Sequence, residues 1–237
     1  MLIVQICIII LRFQKKRLFL HCSRLNTKPN INESGIWLLC YQKPTMIKRI
    51  FDISLSIFGL VIFFPLFLII AILIKADSKG SVFYKQIRVG RFNKDFKIIK
   101  FRTMKCDTED NFPLSKQLYK SQITKTGIYL RKYKLDELPQ LINVLKGDMS
   151  FVGPRPVLRK FVDLYTDEQL KVLDIRPGIT DMASIKYKNE FKILNSVENP
   201  ETYYLEVIMP DKLSLNLKYI KEQSLWLDIK LILKTIF

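Results

Sequence analysis

Histidine is nearly missing from this chain. Its one imidazole, His21, sits far upstream of the body of the sequence, which excludes histidine acid–base catalysis and histidine-rich metal sites there. Cysteine is scarce as well. Cys7, Cys22, Cys40 and Cys106 are widely spaced, form no Cys-x-x-Cys pair and follow no secretory pattern, so they read as reduced intracellular thiols. There is no Arg-rich recognition helix, no zinc spacing and no RNP-like aromatic strand, and nucleic acid is therefore not the expected partner. Any metal must be a hard cation held by oxygen, with Mg²⁺ the expected one. Acidic residues are outnumbered, 22 against 39 Lys and Arg, for a net charge of +17. That balance calls for anionic partners such as lipid headgroups or phosphorylated substrates.

Charge is absent altogether from Ile53 to Ile74, ISLSIFGLVIFFPLFLIIAILI. At ~1.5 Å rise per residue this run is just long enough to cross a bilayer as one helix. Pro65 stands in it without an N–H to give residue 61, so the helix should kink there. Basic residues flank both ends, Lys48 and Arg49 before and Lys75, Lys79, Lys85 and Arg88 after, and their cytoplasmic preference puts both ends on one side. A re-entrant helix satisfies both observations. An ordinary single pass, kinked against a partner, is the alternative.

The rest of the chain suffices for one domain with its own core. Residues 1–45 show no pattern that the domain needs and read as a dispensable extension or the product of an upstream start site, with Met46 a natural start. The expected division is 1–45 extension, 46–76 re-entrant membrane helix and 77–237 catalytic domain. Ser81 to Met104 reads as a basic β-hairpin turning near Gly90 to Asn93, and Lys105 to Thr126 as a loop or short helix. Leu138, Leu141, Ile142 and Leu145 recur at helical spacing, and Gly147 ends that run.

Asp136-Glu137 opens this helix. Read plainly, Asp136 is an N-cap and Glu137 a dipole-favoured neighbour. Read functionally, the pair is an ionised carboxylate beside a site for phosphate and a neighbour able to bind Mg²⁺. Two stiff turns tip the balance. Gly153-Pro154-Arg155-Pro156 and Arg176-Pro177-Gly178 each present one arginine, whose forked donors match phosphate oxygens.

With these motifs in hand, the chain resembles the bacterial sugar transferases, the monotopic polyprenyl-phosphate phosphoglycosyl transferases. The likeness rests on KRIFDISLS, FYKQIRVGR, FKIIKFRTM, LRKYKLDELPQLINVLKGDMSFVGPRP, IRPGIT and LWLDIKLILKTI, from about Lys48 to the C-terminus. It implies an α/β (α+β) fold: a re-entrant membrane helix and a small, mostly helical domain with a short hairpin, on the cytoplasmic face of the inner membrane. It also implies transfer of a sugar phosphate from a UDP-sugar to undecaprenyl phosphate, releasing UMP, at the start of surface polysaccharide or glycoconjugate synthesis. By that resemblance Asp136 is the nucleophile, Glu137 holds Mg²⁺, and Arg131, Arg155 and Arg176 bind phosphate. Membrane lipids are further partners, and a homo-oligomer is left open.

The chain departs from the family pattern at two places. Phe64-Pro65 replaces Ser-Pro at the helix break, and Asp181-Met182-Ala183-Ser184 replaces Gly-Trp-Ala-Gln after IRPGIT. The second departure leaves an inactive membrane scaffold of the same fold as an alternative. A basic membrane-surface module is another, but it has no use for Asp136-Glu137 beside rigid arginine turns.

Overall fold

The computed structural model describes residues 34–105 and 122–236. His21, Cys7, Cys22, Cys106, most of the N-terminal extension and most of the loop expected between Lys105 and Thr126 lie outside the described residues. The chain divides into Met1–Ser54, whose described part is helical, and Leu55–Phe237.

The apolar run forms the end of α1 (Ser34–Ile62) and all of α2 (Phe64–Asp77). Phe63 leaves helical geometry between them, and Pro65 falls in the first turn of α2, where its missing N–H costs nothing. The two helices are bent by 61° at this break. No described helix alone is long and apolar enough to cross a membrane, whereas the bent pair satisfies length and composition together. Phe58, Val61, Phe64, Leu68 and Ile72 stay exposed, while Ile70 and Ile74 are buried.

One element that covers them is the hairpin of β1 (Phe83–Val89) and β2 (Asp95–Phe101), paired antiparallel from Phe83↔Phe101 to Val89↔Asp95. The expected turn is there, with Phe92 and Asn93 in left-handed geometry and Arg159 donating to Asn93 and Asp95. Phe101 joins Ile70, Ile74 and Leu130 in one apolar cluster, the last from α3 (Lys125–Lys132). Just past β2, buried Arg102 donates to the carbonyls of Ser78 (2.7 Å) and Lys79 (2.6 Å), which follow α2. Asp77, the last residue of α2, accepts from Thr126 N–H at the start of α3 (2.7 Å).

The other face of β2 holds α4 (Gln140–Lys146), which ends as expected at Gly147, in left-handed geometry with φ 89°. Buried Asn143 pins α4 to the strand by accepting from Ile99 N–H (3.0 Å) and donating to Lys97 O (2.8 Å). Ile98 packs with Val144 and Met149 beneath it.

Two three-residue strands not foreseen in the sequence follow. β3 (Ser150–Val152) and β4 (Gly178–Thr180) pair in parallel, so the arginine turns are strand extensions as well as loops. Glycine is required where they meet: a Cβ on Gly153 would stand 2.3 Å from Arg176 O. Past β4 the chain is helical, through α5 (Met182–Lys186), α6 (Met209–Glu222) and α7 (Leu225–Ile236). Leu231 of α7 packs with Val152, Ile175 and Tyr219, and buried Asp228 accepts from the Tyr219 hydroxyl (2.5 Å). Trp226 and Leu233 are exposed, so α7 closes the core with one face and presents apolar surface with another. The whole is a mixed α/β fold, mostly helical, with a small hairpin.

Because β3 and β4 meet backbone to backbone, Gly153→Ala should destabilise the folded chain by about 2 kcal/mol through overpacking. A thermal melt in detergent micelles checks this, and an unchanged midpoint would mean the strands can part without cost.

Candidate active site

Asp136 and Glu137 lie on a single 3₁₀ turn, Leu135–Glu137, ahead of α4. The expected N-cap role for Asp136 does not hold. Such a cap would accept from the N–H of residue 138 or 139, but Pro139 has none and Leu138 N–H is bonded to Leu135 O (3.2 Å). Lys134 enters the turn with φ 54°, a left-handed conformation that costs a residue with a Cβ about 1 kcal/mol or more. The backbone here is shaped for placing side chains and not for starting a helix.

The two carboxylates have different surroundings. Glu137 Oε1 accepts from Lys100 Nζ of β2 (2.8 Å) and from the Arg155 guanidinium of the Gly153–Pro156 turn. Burial pushes its pKa up, but Arg155 and Lys100 prevail and hold it at about 2. Asp136 receives no side-chain hydrogen bond among the described residues. Burial raises its pKa and Glu137 adds to the rise, against the opposing charges of Lys100 and Arg131. One carboxylate is thus locked as an anion, and the other stands free.

The arginines named from the sequence take separate positions. Arg155 is held from both sides, its guanidinium on Glu137 and its backbone N–H on Asp181 Oδ2 (2.9 Å). Arg131 donates to Thr103 Oγ1 (2.8 Å) and contributes to the field at Asp136. Arg176 instead donates to Gly147 O (3.0 Å), at the opposite end of α4 from the dyad.

Two residues gain importance that sequence reasoning did not give them. Lys100 is one of several basic residues of the hairpin, and nothing local marks it as Glu137's partner. Asp181 had been noted only as a departure, yet it is buried and caps α5 by accepting from Ser184 N–H while holding Arg155. Its Asp-x-x-Ser spacing ahead of an apolar turn was a legible cap signal.

Among the described residues, no group of three or more His, Cys, Asp or Glu is placed to hold a metal ion. Glu137 Oε2 carries no bond from the described residues, and Asp136 is adjacent. Two carboxylates supplemented by substrate phosphate oxygens suit Mg²⁺, which rarely takes a full protein cage.

Beside the dyad opens a cavity of about 390 Å³. Its wall is largely apolar, with Phe58 and Phe63 from the helix break, Leu138 and Leu141 from the dyad segment, and Ile185 and Ile232 from α5 and α7. Glu137 and Arg155 reach it, as do three lysines.

The family described as Bacterial sugar transferase matches residues 43–237. A UDP-N-acetylgalactosamine-undecaprenyl-phosphate N-acetylgalactosaminephosphotransferase of Aeromonas hydrophila is 38% identical over 193 residues, 80% of this chain and 43% of that protein. The exopolysaccharide production protein ExoY of Rhizobium meliloti is 35% identical over 81% of this chain and 84% of its own length. A UDP-glucose:undecaprenyl-phosphate glucose-1-phosphate transferase of Caulobacter vibrioides is 34% identical over 80% and 68%. The chain spans less than half of the first of these and most of the other two. With the family matched over residues 43–237, from α1 through the dyad and its Glu137 clamp to α7, the chain belongs to the bacterial sugar transferases.

Proposed function

We propose that this transferase moves a sugar phosphate from a UDP-sugar to undecaprenyl phosphate, by two displacements at Asp136. The observation that carries the reading is the asymmetry of the dyad: Asp136 is free and partly desolvated, whereas Glu137 is fixed between two cations. A carboxylate nucleophile needs no base to activate it, in keeping with a body that lacks histidine.

In the first displacement an Asp136 oxygen forms a bond to the β-phosphorus of the UDP-sugar. The bond from that phosphorus to the bridging oxygen breaks, and UMP leaves with the electron pair. In the second, an oxygen of the lipid phosphate bonds to the same phosphorus and Asp136 leaves as a carboxylate. The product is a lipid diphosphosugar, and atoms and charge balance without redox chemistry. Arg155 and Lys100, fixed by Glu137, and Arg131 supply positive charge where the diphosphate reacts, before the reaction begins. Glu137, with Asp136 beside it, is the residue to hold Mg²⁺. When bound, that ion screens the diphosphate charge.

The relatives' printed names, which pair UDP-sugars with undecaprenyl phosphate, support the same substrates here. The bent helix pair, with basic residues at both ends, supports a re-entrant anchor that leaves the catalytic domain on the cytoplasmic face of the inner membrane, where UDP-sugars are found. The product would start a surface polysaccharide or glycoconjugate. An inactive scaffold has no use for a free carboxylate beside a fixed pair of cations.

Asp136→Asn should abolish UMP release from every UDP-sugar in a panel while leaving membrane association intact, and wild-type release by this variant would overturn the mechanism. Because burial raises the Asp136 pKa, the acid limb of the UMP-releasing step should fall above the ordinary aspartate range near 4. Replacing Lys100, which opposes that rise, with Met should move the limb further up.

Glu137 has the opposite linkage. Its pKa is depressed from 4.5 to about 2, so its ionised form stabilises the fold above pH 4.5, and that contribution is lost as pH falls towards 2. Glu137→Gln should therefore be less stable than wild type at pH 7, with the difference shrinking between pH 4.5 and 2 in parallel denaturation series. A constant gap would show that the cation clamp contributes no pH-dependent stability.

Topology is tested with single cysteines at positions 48 and 79 in an otherwise cysteine-free chain. An impermeant thiol reagent should reach both from the cytoplasmic side only. Labelling from opposite sides would replace the re-entrant helix with a single pass.

A further inference from the structure

Lys134, Lys188 and Lys234 border the cavity from three separate parts of the chain: the entry to the dyad turn, the segment after α5, and α7. None of the three has an ion pair or side-chain hydrogen bond among the described residues. Their neighbours away from the cavity are paired. Lys186 is bonded to Asp211 (2.7 Å) and Lys212 to Glu190 (2.6 Å), so carboxylates are within reach of this region and yet none is placed against the cavity lysines. Lys134 also holds its left-handed backbone at the entry to the turn, two residues before Asp136.

A largely apolar wall edged with three unneutralised ammonium groups matches one kind of molecule: an apolar chain ending in a multiply charged anion. A UDP-sugar has no apolar chain to fill it. A phospholipid headgroup offers one negative charge on a diester, whereas a phosphomonoester carries close to two at neutral pH. We propose that Lys134, Lys188 and Lys234 form the headgroup site for the lipid acceptor, selecting a phosphomonoester at the end of an isoprenoid chain. The donor diphosphate is left to Lys100, Arg131 and Arg155. The assignment rests on the reading under Proposed function and adds residues that select the acceptor. It places one of the three selecting lysines, Lys188, just past Asp181–Ser184, where this sequence departs from its family's pattern.

The test uses the full chain in neutral detergent micelles, with each lysine changed to Gln singly and in pairs. Each change should raise the KM for undecaprenyl phosphate about tenfold, the loss of roughly one charge-assisted contact, and shift the UDP-sugar KM less than twofold. Lys186→Gln and Lys212→Gln, outside the cavity, should shift neither. Calorimetry adds a readout independent of turnover: farnesyl phosphate should bind wild type well above farnesol, and that preference should disappear in the Lys188→Gln/Lys234→Gln protein. An equal rise in both KM values, or a farnesyl phosphate preference that survives the double change, would overturn the proposal. Inorganic phosphate competing as well as farnesyl phosphate would reduce the site to a free-anion site and overturn it too. An effect seen only with phosphatidylglycerol vesicles and absent in neutral micelles would assign the lysines to the membrane surface instead. Lysine-dependent farnesyl phosphate binding by a wild-type protein that releases no UMP would preserve the headgroup site and reject the transferase reading.

Discussion

Glu137 is the junction on which the site depends. Its carboxylate gathers Lys100 from the hairpin and Arg155 from the turn after β3, so three segments distant in sequence converge on one anion. Such a cluster is costly to break, because removing the carboxylate leaves two cations facing each other in a partly desolvated place. The cluster also sets the two carboxylates apart. With Glu137 bonded to both cations, its neighbour Asp136 is left without a side-chain hydrogen bond among the described residues.

The supports around this junction are built to the same plan. Asn143 fixes α4 to β2 by two bonds to the strand backbone, and α4 carries the dyad turn at its front. Asp181 holds the Arg155 backbone from behind while capping α5. Four consecutive residues at the end of β2 and just past it link these parts: Lys100 meets Glu137, Phe101 packs on α2, Arg102 binds the chain leaving α2, and Thr103 accepts from Arg131. The strand joins the bent helix to the chemistry, and a shift in one would be felt in the other.

Local features were legible in the sequence. The hairpin declared itself by its β-branched and aromatic residues around Gly90, the break by Pro65, and the end of α4 by Gly147. The Asp-Glu pair and the arginine turns were legible as a motif. The features that could not be read in advance depend on distance or brevity. β3 and β4 have three residues each, too few to show a period, and they exist because Gly153 and Gly178 let two backbones touch. The Lys100–Glu137 bond spans thirty-seven positions and leaves no local trace. The N-cap reading of Asp136 failed because Pro139 has no N–H to give it and Leu138 N–H is already bonded to Leu135 O.

The contribution of α7 to the cavity ties the cavity's shape to the core. Ile232, Lys234 and Thr235 form part of the wall, and the same helix sets Leu231 among Val152, Ile175 and Tyr219. A substitution that loosens this apolar cluster would therefore deform the cavity from behind, with the carboxylate pair itself untouched.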